Sequence, residues 1–193
     1  GYKSLTPEIL KEQGVRALLI DIDNTLAPYE QPLPDDDHRA WFRSLEEAGV
    51  RCALVSNNKP ERVTTFNASL GLPAYADCGK PSRKHLRRAL DGLGVPASEA
   101  AVLGDQIFTD CLSARRMGMK AFIVPPIRDK RTLFFRFKRA LEKPVLRAYD
   151  RRARRAARHA SWKASSASVR PTDAAHRRHI ASAWSSRTRW TGG

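Results

Sequence analysis

The sequence has few of the features that mark membrane or secreted proteins. It contains no run of eighteen or more apolar residues, so it encodes no membrane-spanning helix. Its three cysteines are far apart and form no C-x-x-C pair, which favours reduced thiols in the cytoplasm over disulfides or a zinc site. The chain starts Gly-Tyr-Lys-Ser, with neither a Met nor the apolar core of a signal peptide. We therefore expect a trimmed start rather than a secretory leader.

Two nucleotide-binding motifs and a histidine metal site are also missing. No G-x-x-x-x-G-K-[ST] or G-x-G-x-x-G segment occurs, which disfavours a P-loop or a dinucleotide-binding fold. Among the five histidines, His176 and His179 have helical spacing, but no other ligand type accompanies them. We predict that they are solvated tail residues.

Net positive charge is confined to the last third of the chain. Residues 1–127 hold 16 Lys and Arg against 16 Asp and Glu, whereas residues 128–193 hold 19 against 4, which is the whole formal charge of +15. This asymmetry predicts a neutral globular domain over 1–127 and a basic extension with partners of its own. We divide the extension into a basic amphipathic helical segment, 128–158, and a disordered tail, 159–193.

Short apolar runs alternate with helical patterns along the first 127 residues. The runs predict strands at about 15–20, 50–55, 74–76, 100–103 and 120–124. The helical patterns cover about 5–13, 35–48, 60–70, 82–93 and 109–117. This alternation is typical of an α/β protein with a Rossmann-like fold, in which helices flank a parallel sheet of about five strands.

Polar side chains follow four of the predicted strands. They are Asp21 and Asp23 after the first strand, Ser56 and Asn57 after the second, Lys80 after the third, and Asp105 after the fourth. Because the carboxyl ends of parallel strands share one edge of a sheet, we expect these side chains to meet in the crevice beyond it. An acidic turn without chemistry would explain Asp21 and Asp23, but it would leave the other three coincidences unexplained.

A crevice with carboxylates, a hydroxyl and a lysine suits phosphoryl transfer. Two aspartates as close as Asp21 and Asp23 repel each other, and Mg2+, which prefers oxygen ligands, is the natural cation to join them. Mg2+ and Lys80 would neutralise phosphate charge, and one carboxylate could attack phosphorus to form an aspartyl-phosphate.

The polar segments resemble the four motifs of haloacid dehalogenase (HAD) superfamily phosphatases. The matching segments are Asp21-Ile-Asp-Asn-Thr25, Ser56, Lys80 and Gly104-Asp105-x-x-x-x-Asp110, in the family's order. Pieces such as Asp-Ile-Asp-Asn-Thr-Leu-Ala-Pro and Gly-Lys-Pro are most similar to the YqeG-like class IIIA branch. The resemblance covers about residues 5–150.

The resemblance implies catalytic and substrate-binding roles. Asp21 would be the nucleophile, while Asp23 would protonate the leaving oxygen and later activate water. Ser56 and the backbone amide of Asn57 would bind phosphate oxygens. Lys80 would neutralise both Asp21 and the transferring phosphoryl group.

The resemblance also implies the metal ligands. Asp21, the carbonyl of Asp23 and Asp105 would hold Mg2+. Asp110 would support the site either as a direct ligand or by orienting the others.

The spacing of the motifs leaves no room for a cap domain. An uncapped crevice favours bulky substrates, such as a lipid head group, a protein or a nucleic acid, although small metabolites stay open. YqeG-like proteins are related to mitochondrial and plastid phosphatidylglycerophosphate phosphatases, so the resemblance allows a lipid phosphate as substrate.

The basic extension leaves several partners open. Residues 131–149 form a basic amphipathic pattern that could lie on an anionic membrane surface, at its inner face, or pack against the sheet. The tail could bind RNA or anionic lipid. The sequence thus supports two hypotheses, a Mg2+-dependent phosphomonoesterase and a nucleic-acid- or ribosome-associated protein that binds through its tail.

Overall fold

The computed structural model describes residues 1–128 and Arg151, and everything below concerns residues 1–128. The predictions for the rest of the basic segment, for the tail and for His176 and His179 lie outside the described residues. They stay predictions.

Five strands and five α-helices alternate along the described residues. The strands are β1 (Ala17–Ile20), β2 (Arg51–Val55), β3 (Ala74–Tyr75), β4 (Ala100–Gly104) and β5 (Lys120–Ile123). The helices are α1 (Pro7–Glu12), α2 (Asp36–Glu47), α3 (Pro60–Asn67), α4 (Lys84–Leu93) and α5 (Leu112–Met117). Short 3-10 turns cover Tyr2–Ser4 and Ala97–Glu99, and one π-helical turn covers Ile107–Cys111.

The strands form one parallel sheet in the order β3-β2-β1-β4-β5. Ala17 of β1 lies opposite both Arg51 and Ala100, so β1 is the central strand. Every residue of β1 and β4 is buried, as expected for strands that helices cover on both faces. The predicted α/β fold with a parallel five-stranded sheet is confirmed.

Side chains of β1 alternate between two apolar layers. Leu18 and Ile20 face the layer that contains α2 and α3, whose buried members include Trp41, Phe42, Leu45, Val63 and Phe66. Ala17 and Leu19 face the layer that contains α4 and α5, whose buried members include Leu86, Ala89, Leu90, Leu93 and Ala114. The four α4 residues recur at intervals of three, one and three, which places them on one face of the helix.

Two helix boundaries differ from the prediction. Helix α3 ends at Asn67 instead of continuing to about residue 70, because the Asn67 side chain accepts from the Leu72 amide (3.1 Å) and donates to the Leu72 carbonyl (2.7 Å). The helix predicted from residue 109 begins with the π-helical turn at Ile107, and regular α-helix follows only from Leu112. Both differences arise from contacts that sequence periodicity does not encode.

The connections at the carboxyl edge of the sheet stay short. Residues 21–35 link β1 to α2, and only α3 and its flanking loops lie between β2 and β3. Within residues 1–128 no domain is inserted at either place, as the motif spacing predicted. None of the described helices is long and apolar enough to cross a membrane.

Candidate active site

A tight turn after β1 carries the two aspartates. The Asp21 amide donates to the Leu103 carbonyl (2.9 Å), so Asp21 continues the pairing of β1 with β4. Asn24 then takes a left-handed conformation (φ 64°), which asparagine tolerates better than most residues, and its amide donates to the Ala27 carbonyl (2.8 Å). The turn keeps Asp21 6% and Asp23 5% exposed. Both carboxylates are therefore held at the strand end, almost out of solvent.

Lys80 joins two of the buried carboxylates. Its Nζ donates to Asp21 Oδ1 (2.8 Å) and to Asp110 Oδ1 (2.6 Å). The Asn57 side chain fixes the Lys80 backbone, because Oδ1 accepts from the Lys80 amide (2.7 Å) and Nδ2 donates to its carbonyl (3.2 Å). The structure thus brings together the predicted nucleophile, lysine and fourth-motif aspartate.

Burial sets the electrostatics of this group. Burial raises the pKa of Asp21, and Lys80 opposes the rise. The carboxylates of Asp110 and Asp21 raise the pKa of Lys80, so its ammonium group stays charged despite its burial. One ammonium cannot balance the three carboxylates of Asp21, Asp105 and Asp110, and the surroundings favour an additional cation.

Three carboxylates have the spacing of a metal site. Single oxygens of Asp21, Asp105 and Asp110 all lie within 4.8 Å of one another, and all three residues are buried. An all-oxygen donor set suits a hard cation such as Mg2+. The residues therefore fit the predicted metal.

Asp110 reaches this group because two local features make room for it. The π-helical turn contains Asp110, and the Gln106 amide donates to its Oδ2 (3.1 Å). Gly104, the last residue of β4, lies directly against the Asp110 side chain, and a Cβ on Gly104 would overlap it.

Asp23 is held by two residues that the sequence analysis missed. Asn58 Nδ2 donates to Asp23 Oδ2 (2.9 Å), and Arg62 Nε donates to Asp23 Oδ1 (3.1 Å). Arg62 also donates to the carbonyls of Pro28 (3.4 Å) and Pro32 (3.1 Å). A signal was present, because the helix dipole disfavours a cation in the first turn of α3, and a nearby carboxylate offsets this cost.

Ser56 lies in the same crevice. It is 1% exposed, and its Oγ accepts from the Asn58 amide (3.0 Å). The predicted contact of Ser56 and the Asn57 amide with phosphate stays a prediction. What the structure adds is the structural role of the Asn57 side chain.

The polar groups line a cleft of about 230 Å³. The lining residues are Asp21, Asp23, Tyr29, Ser56, Asn57, Asn58, Lys80, Gln106 and Thr109. Tyr29, Gln106 and Thr109 were not predicted. Burial and the nearby Asp23 carboxylate raise the pKa of Tyr29 above its usual range, so its hydroxyl stays protonated even in alkaline solution. A larger cavity of about 610 Å³ lies at the amino edge of the sheet, beside Val50 and Arg51, away from these groups.

Comparisons with known proteins identify the family. A model of the haloacid dehalogenase-like hydrolases matches residues 5–118. The probable phosphatase YqeG of Bacillus subtilis is 33% identical over 158 residues, which are 82% of this chain and 89% of that protein. A glyceraldehyde 3-phosphate phosphatase of Pyrococcus abyssi is 26% identical over 115 residues, 55% of this chain and 48% of that enzyme.

Solved structures match part of the chain. The crystal structure of an uncharacterized protein from Listeria monocytogenes covers 61% of this chain and 85% of its own, with 17% identity and a TM-score of 0.48. The family match spans more than half of the chain, and the Bacillus relative aligns over most of both proteins. The chain therefore belongs to the haloacid dehalogenase-like hydrolase family.

Proposed function

We propose that this protein is a Mg2+-dependent phosphomonoesterase that forms an aspartyl-phosphate on Asp21. The observation that carries the proposal is the buried contact of one lysine with two carboxylates, at the end of the central strand. The probable phosphatase assignment of the Bacillus relative supports the reaction class.

Asp21, Asp105 and Asp110 would hold Mg2+, together with the carbonyl of Asp23 inferred from the family motif. When bound, the ion supplies charge neutralisation for the phosphate oxygens. It would also add positive charge beside Asp21 and Asp110, which share the single ammonium group of Lys80.

In the first step, an oxygen of Asp21 attacks phosphorus and the bond to the ester oxygen breaks. Asp23 donates a proton to that leaving oxygen. Asn58 and Arg62 donate hydrogen bonds to the two oxygens of Asp23, and so fix its carboxyl group in the cleft.

In the second step, Asp23 takes a proton from water, whose oxygen attacks the phosphorus of the aspartyl-phosphate. The acyl phosphate bond breaks, inorganic phosphate leaves and Asp21 is restored. Lys80 stays next to Asp21 throughout, where its charge opposes the growing negative charge on the phosphoryl oxygens. Ser56 and the Asn57 amide bind the phosphoryl oxygens that Lys80 does not reach.

The substrate in this proposal is bulky, such as phosphatidylglycerophosphate or another lipid phosphate. The small cleft accommodates a phosphoryl group and little more, and no cap within residues 1–128 encloses the remainder. Such a substrate fits a cytoplasmic protein that works at the inner face of the membrane. The alternative of a nucleic-acid- or ribosome-associated protein depends on the basic tail and draws no support from the family match, so we do not adopt it.

The test compares two variants that lose the same charge. Asp21→Asn should abolish hydrolysis of 4-nitrophenyl phosphate, because the amide is a poor nucleophile. Asp91→Asn, at an exposed position of α4, should retain wild-type activity. Wild-type turnover by Asp21→Asn, with melting temperatures unchanged, would refute the assignment of Asp21 as the nucleophile. A screen across lipid, sugar, nucleotide and protein phosphates, with Asp21→Asn as the blank, would then identify the substrate class.

A further inference from the structure

Exposed apolar side chains gather at the edge of the sheet where the cleft opens. Five large apolar residues of the described region are exposed: Ile9, Leu33, Leu112, Ile123 and Ile127. All except Ile9 lie at the carboxyl edge, with exposures of 53% for Leu33, 38% for Leu112, 36% for Ile123 and 44% for Ile127. Single exposed apolar residues are common on protein surfaces, but the placement of four of the five at one edge favours an interaction surface there.

Chain connections place these side chains beside the cleft. Leu33 follows Pro32, whose carbonyl accepts from the Arg62 side chain that holds Asp23. The Ile127 amide donates to the carbonyl of Asn24 (3.1 Å), in the turn after β1.

Leu112 and Ile123 also lie at the carboxyl edge of the sheet. Leu112 comes two residues after the site residue Asp110, and Ile123 ends β5. We call Leu33, Leu112, Ile123 and Ile127 the apolar rim.

A cationic surface meets the apolar rim at α5, where Leu112 and Arg116 are four residues apart and therefore share one face of the helix. Arg83, Lys84, Arg87 and Arg116 line a depression of about 560 Å³ with Pro81 and Ser82, the residues directly after Lys80. Because consecutive Cα atoms are about 3.8 Å apart, the Arg83 Cα lies within about 11 Å of the Lys80 Cα. Arg116 of α5 donates to the Pro81 carbonyl (3.0 Å), which joins α5 to the loop that carries Lys80.

These four cations have no carboxylate partners within residues 1–128. The ion pairs of that region involve other residues, and no acidic side chain lines the depression. Cations that have no carboxylate partner in the described region attract an anionic surface or molecule. The cationic surface suits phosphate groups, and the apolar rim suits hydrocarbon.

We propose that the apolar rim and the cationic surface dock this protein on an anionic lipid bilayer, so that the cleft opens onto the membrane and receives a lipid phosphate. The rim enters the boundary between head groups and acyl chains, while the cations contact head-group phosphates. RNA would also satisfy the cations, but leucine and isoleucine offer no ring on which a base could stack. The identity of the substrate rests on the proposed phosphatase function; the docking does not.

Binding to vesicles tests the docking with two charge-matched variants of the full chain. Arg83→Glu/Arg87→Glu alters the cationic surface, and Lys11→Glu/Arg43→Glu alters exposed positions of α1 and α2 beside cavities at the amino edge. Both pairs change the formal charge by the same amount, and the basic extension is identical in both. Co-sedimentation with phosphatidylcholine vesicles that contain phosphatidylglycerol is measured at physiological ionic strength.

We expect the first pair to weaken vesicle binding at least about 25-fold, since each basic side chain near an anionic surface contributes about fivefold. The control pair should weaken it by less than about threefold. Equal weakening by the two pairs would overturn the proposal, because only net charge would then matter. Melting temperatures show whether each variant folds.

The apolar rim separates a bilayer from other anionic partners. Leu33→Ser/Leu112→Ser should weaken vesicle binding and leave binding of a single-stranded RNA oligomer unchanged. Vesicle binding unaffected by these two substitutions would refute bilayer docking and indicate a general polyanion site.

Activity measurements keep this inference separate from the proposed function. The ratio of hydrolysis of a lipid phosphomonoester in vesicles to hydrolysis of 4-nitrophenyl phosphate should fall in Arg83→Glu/Arg87→Glu. No hydrolysis of either substrate by wild type would reject the phosphatase, whereas sedimentation would still decide the docking. An unchanged ratio would overturn the presentation of substrate from the bilayer.

Discussion

Replacing Gly104 by alanine should disable the active site without removing any group proposed to take part in catalysis. Gly104 ends β4, and a Cβ at this position would lie closer than 3.0 Å to the Asp110 side chain, a separation that real Cβ atoms essentially never show. Asp110 cannot yield easily, because Lys80 and the Gln106 amide hold its two oxygens and it is 1% exposed. The added methyl group must therefore displace Asp110, the end of β4, or both.

The size of the effect follows from these contacts. Restoring an ordinary carbon contact of about 3.5 Å requires a movement of roughly 1 Å. Misplacing a catalytic group by about that distance can cost on the order of 100-fold in rate. Overpacking a well-filled core costs about 1–3 kcal/mol of stability. An ordinary domain has about 5–15 kcal/mol, so the variant should remain folded at 25 °C.

The assay combines thermal unfolding with hydrolysis of 4-nitrophenyl phosphate. Gly104→Ala should lower kcat about 100-fold while its melting curve still shows a cooperative fold. Gly92→Ala is the matched control, because its Cβ would lie 3.2 Å from the Tyr75 hydroxyl, the far end of a side chain that can move. Activity of Gly104→Ala within about threefold of wild type would refute the packing argument and the role of Asp110 together.

Three further predictions follow from the site and from the buried thiols. Arg62→Gln should lower kcat/KM for phenyl phosphate by about tenfold or more and that for 4-nitrophenyl phosphate much less, because kcat/KM reports the first step, in which a poor leaving group depends on a well-placed Asp23; equal losses in kcat/KM would assign Arg62 to the fold alone. EDTA should abolish turnover, and added Mg2+ should restore it and raise the melting temperature; full activity in EDTA would contradict the metal site. Burial raises the pKa of Cys52 to about 12 and that of Cys78 to about 11, so at pH 8 a disulfide reagent should modify at most Cys111 until denaturant exposes all three thiols. Rapid modification of all three thiols in the folded protein would show that the reagent reaches Cys52 and Cys78, contrary to their burial.

The sequence was informative wherever a residue's position follows from strand order alone. Asp21, Ser56 and Asp105 each come directly after a buried apolar run, and parallel strands deliver such residues to one edge of the sheet. Lys80 was predictable for the same reason, although β3 has only two residues. For these positions, knowing that the strands are parallel is nearly enough to predict where the residue lies in the fold.

The contacts between loops could not be predicted from the order of the strands. The prediction for Asn57 concerned only its backbone amide, and the contact of its side chain with the Lys80 backbone was not foreseen. Arg62 approaches Asp23 only because α3 begins beside the loop after β1. These contacts depend on how loops fold over one another, and neither periodicity nor turn chemistry specifies that.

The central position of β1 has a consequence for the order in which the protein becomes active during folding. Ala17 pairs with Arg51, 34 residues later, and with Ala100, 83 residues later. Closing the longer loop costs more conformational entropy. Contacts between residues that are far apart in the sequence also form more slowly. A chain in which only β1, β2 and β3 have assembled would hold Asp21 and Lys80 but would lack Asp105 and Asp110. The proposed catalytic centre is therefore completed by the most distant pairing of the sheet, and the onset of hydrolysis would time the docking of β4.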